Sequence, residues 1–481
     1  MIKNNSIIKS FSWIVLANLL TKPLWFILFI FAARRLGSEE FGVFTYASSI
    51  ASILGIFIDL GLDYISTREI SRDNSVANDY FNKVLFLRIF LFTITLLFLI
   101  STLLLGGSHY KNNIAIIILL LFQSITIIIT FFKSIVSSFQ NFELFSKLLI
   151  IEKFLIIVMG SLSLFYSNSV IDFLLLITIG NVTACFVIYL ITKNKFSLQI
   201  SFPNINVIKG LFYESLPLLF LNLFIVFYFR IDVVILNFFT NEKSVLGIYG
   251  SIHRLLEMYL LIPSLIMSLA YPIITKNYHS NFLFVQEFVN VLIKVFLIIS
   301  IPIAVLISCN SYNINLFIFG EGYSEGSKGL FYIIWTIIPL GLNFLLGNLL
   351  VAVKKEKLSA FSVGIASIIS IVLNLILIPV LSFVGTSIVA VIVEFLILFL
   401  YTHAVLKYFG KISIIASVFR GIGVAVTSLL IIYFANVVLD ISLVLNLAIG
   451  TIIIVVLINL WGVVNLSEIK KMLSVINIRL Y

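Results

Sequence analysis

Charge is what this sequence has least of. Asp, Glu, Lys and Arg make up 11% of its 481 residues, against 61% for the hydrophobic types. A soluble domain is about a quarter charged, so no stretch here can solvate a domain surface. Cysteine is nearly absent. Cys185 and Cys309 both lie inside apolar runs, which argues against a disulfide scaffold or a cysteine metal site. The four histidines, His109, His253, His279 and His403, are scattered and show no metal-ligand spacing. P-loop, GxSxG and HExxH patterns are missing, which removes the usual nucleotide-driven and hydrolytic chemistries. No cofactor is expected. A cleavable signal peptide is not expected either. The first apolar run is too long, and Arg34-Arg35-Leu36-Gly37 follows it in place of small residues. Proline is scarce, but Pro23, Pro263, Pro302, Pro339 and Pro379 fall within apolar runs, where they favour kinks.

What is present is a succession of fourteen apolar runs. They cover about 11–33, 41–64, 84–105, 114–139, 148–166, 170–191, 215–239, 251–274, 285–309, 329–353, 359–381, 384–406, 417–439 and 441–464. Each approaches the ~20 residues that cross a ~30 Å hydrocarbon core. The polar–apolar alternation of a membrane barrel is missing. The sequence therefore predicts an all-α integral membrane protein with about 14 transmembrane helices.

The basic residues between the runs fall mostly in every second gap. With the N-terminus inside, inner segments hold 18 Lys and Arg, from Lys3 and Arg68 to Lys411, Lys470, Lys471 and Arg479. Outer segments hold five: Arg34, Arg35, Lys111, Lys243 and Lys328. The positive-inside rule then places both termini in the cytoplasm. The net charge of +10 belongs to loops beside anionic headgroups, so nucleic acid is not an expected partner. The longest inner connection, 192–214, carries an interfacial stretch, Lys209-Gly210-Leu211-Phe212-Tyr213.

A weak internal repeat is visible. Phe41-Gly42-Val43-Phe44-Thr45-Tyr46 follows the first run, and Leu246-Gly247-Ile248-Tyr249-Gly250 follows the seventh. Six spans separate the copies, so both have one orientation, the arrangement of parallel repeats around a shared cavity. The expectation is two pseudo-symmetric six-helix lobes, 1–195 and 196–410, plus two C-terminal helices and a cytoplasmic tail in 411–481.

Ionisable residues inside spans carry the functional information, because a charge near the bilayer centre costs ~2.5–3.5 kcal/mol on insertion scales. Lys22 stands mid-span before Pro23, a cation on a bendable helix. Arg230 and Asp232 point to nearly opposite sides of span seven. In span eight, His253, Arg254 and Glu257 share a helix face, and pairs such as Arg230 with Glu257 or Asp232 with Arg254 are open alternatives to a cationic cavity. Lys133 and Lys294 are within snorkelling reach of the inner headgroups. Asp59 and Asp63 stand near Arg68, Glu69 and Arg72, as a gate or a solvated helix end. Glu394 and Arg420 have no evident sequence partner. The candidate substrate-binding residues are Lys22, Arg230, Arg254, Lys133 and Lys294. The candidates for ion coupling or gating are Asp232, Glu257, His253 and Asp59.

Four segments resemble one family. They are Ala33-Arg34-Arg35-Leu36-Gly37-Ser38-Glu39-Glu40-Phe41-Gly42, and Asp59-Leu60-Gly61-Leu62 with Thr67-Arg68-Glu69-Ile70-Ser71-Arg72. The third is Arg230-Ile231-Asp232 with Leu246-Gly247-Ile248-Tyr249 and Tyr271-Pro272, and the fourth is Phe319-Gly320-Glu321-Gly322-Tyr323. In this order they resemble the Wzx-type O-antigen and polysaccharide flippases of the multidrug/oligosaccharidyl-lipid/polysaccharide exporter superfamily, over at least residues 10–410. The resemblance implies a non-enzymatic transporter of the bacterial inner (cytoplasmic) membrane. It would carry undecaprenyl-pyrophosphate-linked oligosaccharide to the outer leaflet by alternating access, with H⁺ or Na⁺ as coupling ion and a polysaccharide polymerase as partner. Lys22 is at a position comparable to basic first-helix residues of related lipid II flippases, which have several Arg where this chain has one Lys. Asn18, Asn222, Tyr228, Asn343, Asn348 and Asn374 offer polar groups within spans. Two other readings stand beside it: a multidrug antiporter of the same superfamily, and a membrane polysaccharide polymerase or ligase.

Overall fold

The computed structural model describes residues 4–105, 110–240, 242–410, 412–439 and 443–462. Lys3, His109, Lys411, Lys470, Lys471, Arg479 and the expected tail lie outside them. The described residues form helices α1 (Asn4–Asp59), α2 (Leu62–Arg72), α3 (Ala77–Leu105), α4 (Tyr110–Ser138), α5 (Phe142–Tyr166) and α6 (Val170–Phe196). Next come α7 (Ile205–Thr240), α8 (Lys243–Tyr259), α9 (Leu261–Asn277), α10 (Phe282–Cys309) and α11 (Ser311–Phe319). The last described helices are α12 (Gly326–Ile333), α13 (Ile337–Ala352), α14 (Glu356–Phe409), α15 (Ile414–Leu439) and α16 (Leu443–Leu460).

Among the described residues, eleven helical segments are long and apolar enough to cross a membrane. Two of them, Trp13–Arg72 and Glu356–Phe409, run to 60 and 54 residues. At ~1.5 Å per residue each is far longer than one bilayer core, and each folds back once. Gly37 breaks α1 at φ 78°, a conformation open to glycine. Ser382 breaks α14 at φ 52°. With the shorter apolar helix Leu445–Leu460, the count agrees with about 14 crossings.

The chain divides into two compact units, Met1–Gly250 and Ser251–Tyr481. In the first, α5 and α6 pack along their length, and α1 packs on α4, α5 and α7. Small residues permit this, as in membrane bundles generally. A Cβ on Gly180 of α6 would lie 2.9 Å from the Leu155 carbonyl oxygen of α5. In the second unit α10 packs against α13 and α15, and α13 against α14.

The same local devices recur in both halves. Gln140 and Lys354 each adopt a positive φ, 57° and 58°, at the turns before α5 and α14. In the first turn Gln140 N donates to Ser137 O and Asn141 N to Val136 O; in the second Lys354 N donates to Val351 O and Lys355 N to Leu350 O. The 3-10 turn 74–76 that leads into α3 and the start of α10 are capped alike. Asp73 Oδ1 accepts from Ser75 N, and Asn281 Oδ1 accepts from Phe284 N, two caps of the expected kind. The bonds from Ser75 Oγ and Ser75 N hold the exposed Asp73 carboxyl below its ordinary range.

Behind each cap, two amide side chains one turn apart hold a linker. Asn78 Oδ1 accepts from Gln199 N at 2.7 Å, Asn82 Nδ2 donates to Gln199 O at 2.9 Å, and Asn82 Oδ1 accepts from Ser201 N at 2.8 Å. In the second half Gln286 Nε2 donates to Phe409 O at 2.5 Å, and Asn290 Oδ1 accepts from Ser413 N at 2.9 Å. The spacing Asp73, Asn78, Asn82 repeats as Asn281, Gln286, Asn290. Linker amides without helical partners are thereby satisfied. The same turn, cap and clamp thus occur in each half of the chain.

Candidate functional site: the charges inside the helices

The first unit encloses a network of six charges. Arg88 of α3 is the largest fully buried side chain among the described residues, 1% exposed. Its Nη2 donates to Asp59 Oδ1 at 2.7 Å and to Asp63 Oδ1 at 2.9 Å. Its Nη1 donates to Ile127 O at 3.1 Å, and the guanidinium lies 5.2 Å from the Phe131 ring centroid. A planar fork suits this multiple recognition. Asp59 was expected beside Arg68 and Arg72; the fold gives it Arg88 instead. Arg68 reaches Glu69 at 2.6 Å and Glu214 of α7 at 2.7 Å.

The second half of the network joins α4 and α5. Lys133 Nζ donates to Glu152 Oε2 at 2.7 Å, and Lys153 Nζ to Glu152 Oε1 at 2.8 Å. Glu152 is 1% exposed and the Lys133 side chain 10%. Lys133 therefore turns inward to an ion pair rather than snorkelling, because a buried carboxylate without a cation is costly. Lys133 also lies within electrostatic range of Asp63, so the two halves are electrically continuous. Arg88, Glu152 and Lys153 were missed at the sequence level. The available signal was a lone charge within an apolar run, Arg88 in span three and the Glu152-Lys153 pair in span five.

Lys22 is exposed on α1. Arg230 is half-buried on α7, within electrostatic range of the Tyr249 hydroxyl. Asp232 is buried. Its Oδ2 accepts from Tyr249 Oη at 2.5 Å and its Oδ1 from Val233 N at 2.7 Å. In the second unit Arg254 Nη1 donates to Glu257 Oε2 at 2.5 Å, with His253 Nδ1 3.7 Å from Glu257 Oε1. The shared face of these three residues is as expected. Lys294 is half-buried on α10. Glu394 meets Asn343, whose Nδ2 donates to Glu394 Oε2 at 2.6 Å and to Glu394 O at 2.9 Å. Arg420 donates to Gly462 O at 3.0 Å.

The motif residues act chiefly as latches. Arg35 Nε donates to Leu164 O at the end of α5, at 3.1 Å, and Glu40 Oε2 accepts from Val170 N at the start of α6, also at 3.1 Å. A cation at a helix C-terminus and an anion at an N-terminus both complement the helix dipole. Glu40 also pairs with Lys111. Gly61 adopts φ 70° with the Leu218 side chain against it. Asn315 donates to Tyr323 O, and the Phe319 and Tyr323 rings lie 5.8 Å apart beside Gly320 at φ 90°.

Residues 7–278 match the model of a family described as polysaccharide biosynthesis protein. The chain belongs to that family. Residues 217–376 of this polysaccharide biosynthesis protein family member also match the MatE family. An uncharacterized membrane protein of Methanocaldococcus jannaschii is 24% identical over 212 residues, 43% of this chain. The aligned part spans 51% of that relative's length, about half. Among solved structures, the lipid II flippase MurJ in an inward closed conformation aligns with a TM-score of 0.71 at 16% identity, over 94% of this chain and 98% of that one. An inward-facing multidrug resistance MATE family transporter aligns with a TM-score of 0.65 at 13% identity, over 82% and 98%. At such identities the likeness shows the fold. This chain has the multi-pass helical fold of those two structures.

Proposed function

We propose that this protein flips undecaprenyl-pyrophosphate-linked oligosaccharide repeat units from the cytoplasmic to the outer leaflet of a bacterial cytoplasmic membrane. It works by alternating access, driven by an H⁺ or Na⁺ gradient, with both termini cytoplasmic. The observation that carries this reading is the match to the polysaccharide biosynthesis family over 7–278, a stretch that also holds Lys22, Lys133, Arg230 and Arg254. A pyrophosphate crossing a low-dielectric region loses hydration, and cations aimed at it offset that loss.

In this reading residues 1–195 and 196–410 are the moving lobes and 411–481 stand outside the repeat. Lys22, Arg230, Arg254 and Lys294 receive the anionic headgroup, with Lys133 acting through Glu152. Asp59, Asp232, His253 and Glu257 serve ion coupling or gating. The prenyl tail stays in lipid, and a polysaccharide polymerase takes the delivered unit.

A second reading, small-molecule antiport, has the MatE match over 217–376 in its favour. Export complementation separates the two. The chain is expressed in a strain that lacks its own flippase and makes a defined lipid-linked glycan. Restored surface polysaccharide is the expected result. Drug resistance with no glycan export from a well-expressed protein would overturn the first reading for the second.

A further inference from the structure

We propose that Trp25 and Lys153, with Lys22, form a subsite for the sugar diphosphate headgroup of the cargo, between α1 and α5. This rests on the flippase reading above and names where the headgroup sits.

The helix geometry comes first. Asn18, Lys22 and Trp25 follow the i, i+4, i+7 spacing, so they line one face of α1. Leu16, Leu20, Leu24 and Ile27 lie on another face and are exposed apolar side chains, which suits lipid. The polar face lies apart from these side chains, with Lys22 exposed on it. Trp25 is half-buried there, its ring set edge-on to Phe29 at 4.8 Å and 89°. That contact fixes the indole plane.

The charge bookkeeping of Glu152 comes second. One buried carboxylate needs one cation, and Lys133 at 2.7 Å supplies it. Lys153 is a second cation on the same carboxylate, at 2.8 Å. Lys153 is also the more open of the two: its side chain is 25% exposed, against 10% for Lys133. Its ammonium stands 5.0 Å from the Trp25 ring centroid, a cation–π contact. An ammonium has three donors, and one bond to Glu152 leaves donors for an anion.

The result is an indole with the Lys153 ammonium of α5 over it and Lys22 one turn away on the indole's own helix. Phosphate oxygens match the ammonium groups, and the C–H face of a sugar matches the indole, which carries both an apolar body and a polar handle. The site takes a glycosyl diphosphate rather than a neutral sugar or a cation.

The test measures binding of undecaprenyl diphosphate and of inorganic pyrophosphate to the purified full chain in detergent. Variants are Lys153→Ala, Lys153→Arg and Trp25→Ala, each checked for monodispersity and thermal unfolding. Lys153→Ala should weaken undecaprenyl diphosphate about tenfold with little change in unfolding temperature, because Lys133 still neutralises Glu152. Lys153→Arg should retain most of the affinity. Undiminished binding by Lys153→Ala, with the wild type binding, would overturn the subsite and leave the flippase reading standing. Absence of binding by the wild type would overturn both.

Discussion

Gly42 and Gly247 each stand where a backbone carbonyl of the other's helix leaves no room for a side chain. A Cβ on Gly42 would overlap the Lys243 carbonyl, and a Cβ on Gly247 would overlap the Ser38 carbonyl. Gly247 N and Gly42 N complete the reciprocal pattern at 3.0 Å each. The two glycines are the matching members of the short sequence repeat, so the repeat copies pack on each other through a local twofold. Such close approach permits Cα–H···O contacts between helices.

This seam predicts a disulfide. A Cβ on Gly250 would lie 3.0 Å from the Thr45 Cβ, near the ~3.5–4.5 Å of a disulfide. Thr45→Cys with Gly250→Cys, in a background with Cys185 and Cys309 replaced by Ser, should crosslink on mild oxidation in membranes. Adding Gly42→Leu should abolish the crosslink. Persistent free thiols in the parent pair would mean that the helices do not meet.

Arg88 should be the costliest single charge to remove. Arg88→Ala leaves Asp59 and Asp63 together without their cation, and breaking a buried pair costs about 3–5 kcal/mol. Asp63→Asn should cost less, because Arg88 keeps Asp59. Thermal unfolding in detergent reads the difference; equal shifts would contradict the geometry.

The linker clamps should act locally. Asn82→Ala frees the Ser201 amide and the Gln199 carbonyl, and Asn290→Ala frees the Ser413 amide. Each lost bond is worth about 1 kcal/mol. Hydrogen exchange should speed up at Ser201 in the first variant and at Ser413 in the second. A global change in exchange, with no local excess, would argue against a clamp.

Lys22→Ala and Arg230→Ala should each reduce export without lowering the amount of protein in the membrane. Normal surface polysaccharide in both variants would remove these residues from the cargo path.

Reporter fusions at Lys209 and Lys355 should read as cytoplasmic, and a fusion at Ser324 as external. The reverse pattern would overturn the orientation inferred from the basic loops.

The legible and illegible parts of the candidate site divide by distance along the chain. Arg254 and Glu257 are three residues apart, and helix geometry alone brings them together. Lys133 and Glu152 are on different helices, and Arg88 finds Asp59 and Asp63 only when α3 packs against the end of α1 and the start of α2. A charge inside an apolar run announces that it needs a partner, but its position gives no name to that partner. Lys133 shows the consequence. Its reach to the headgroups is a property of the side chain, while its turn inward comes from Glu152 on the neighbouring helix. The four motifs were read correctly as a family signature. In the fold, Arg35, Glu40 and Asn315 serve as ties between helix ends.

The sequence alone determined the membrane class, the approximate number of crossings and the existence of a repeat. Those depend on local composition: an apolar run must hide its backbone in a helix, and a proline or glycine must sit where the helix can yield. Only the tertiary structure decided which charges meet, that Gly42 faces Gly247, and that matching amides hold matching linkers. Those depend on contacts between helices, where one ångström of approach decides between a glycine and any other residue.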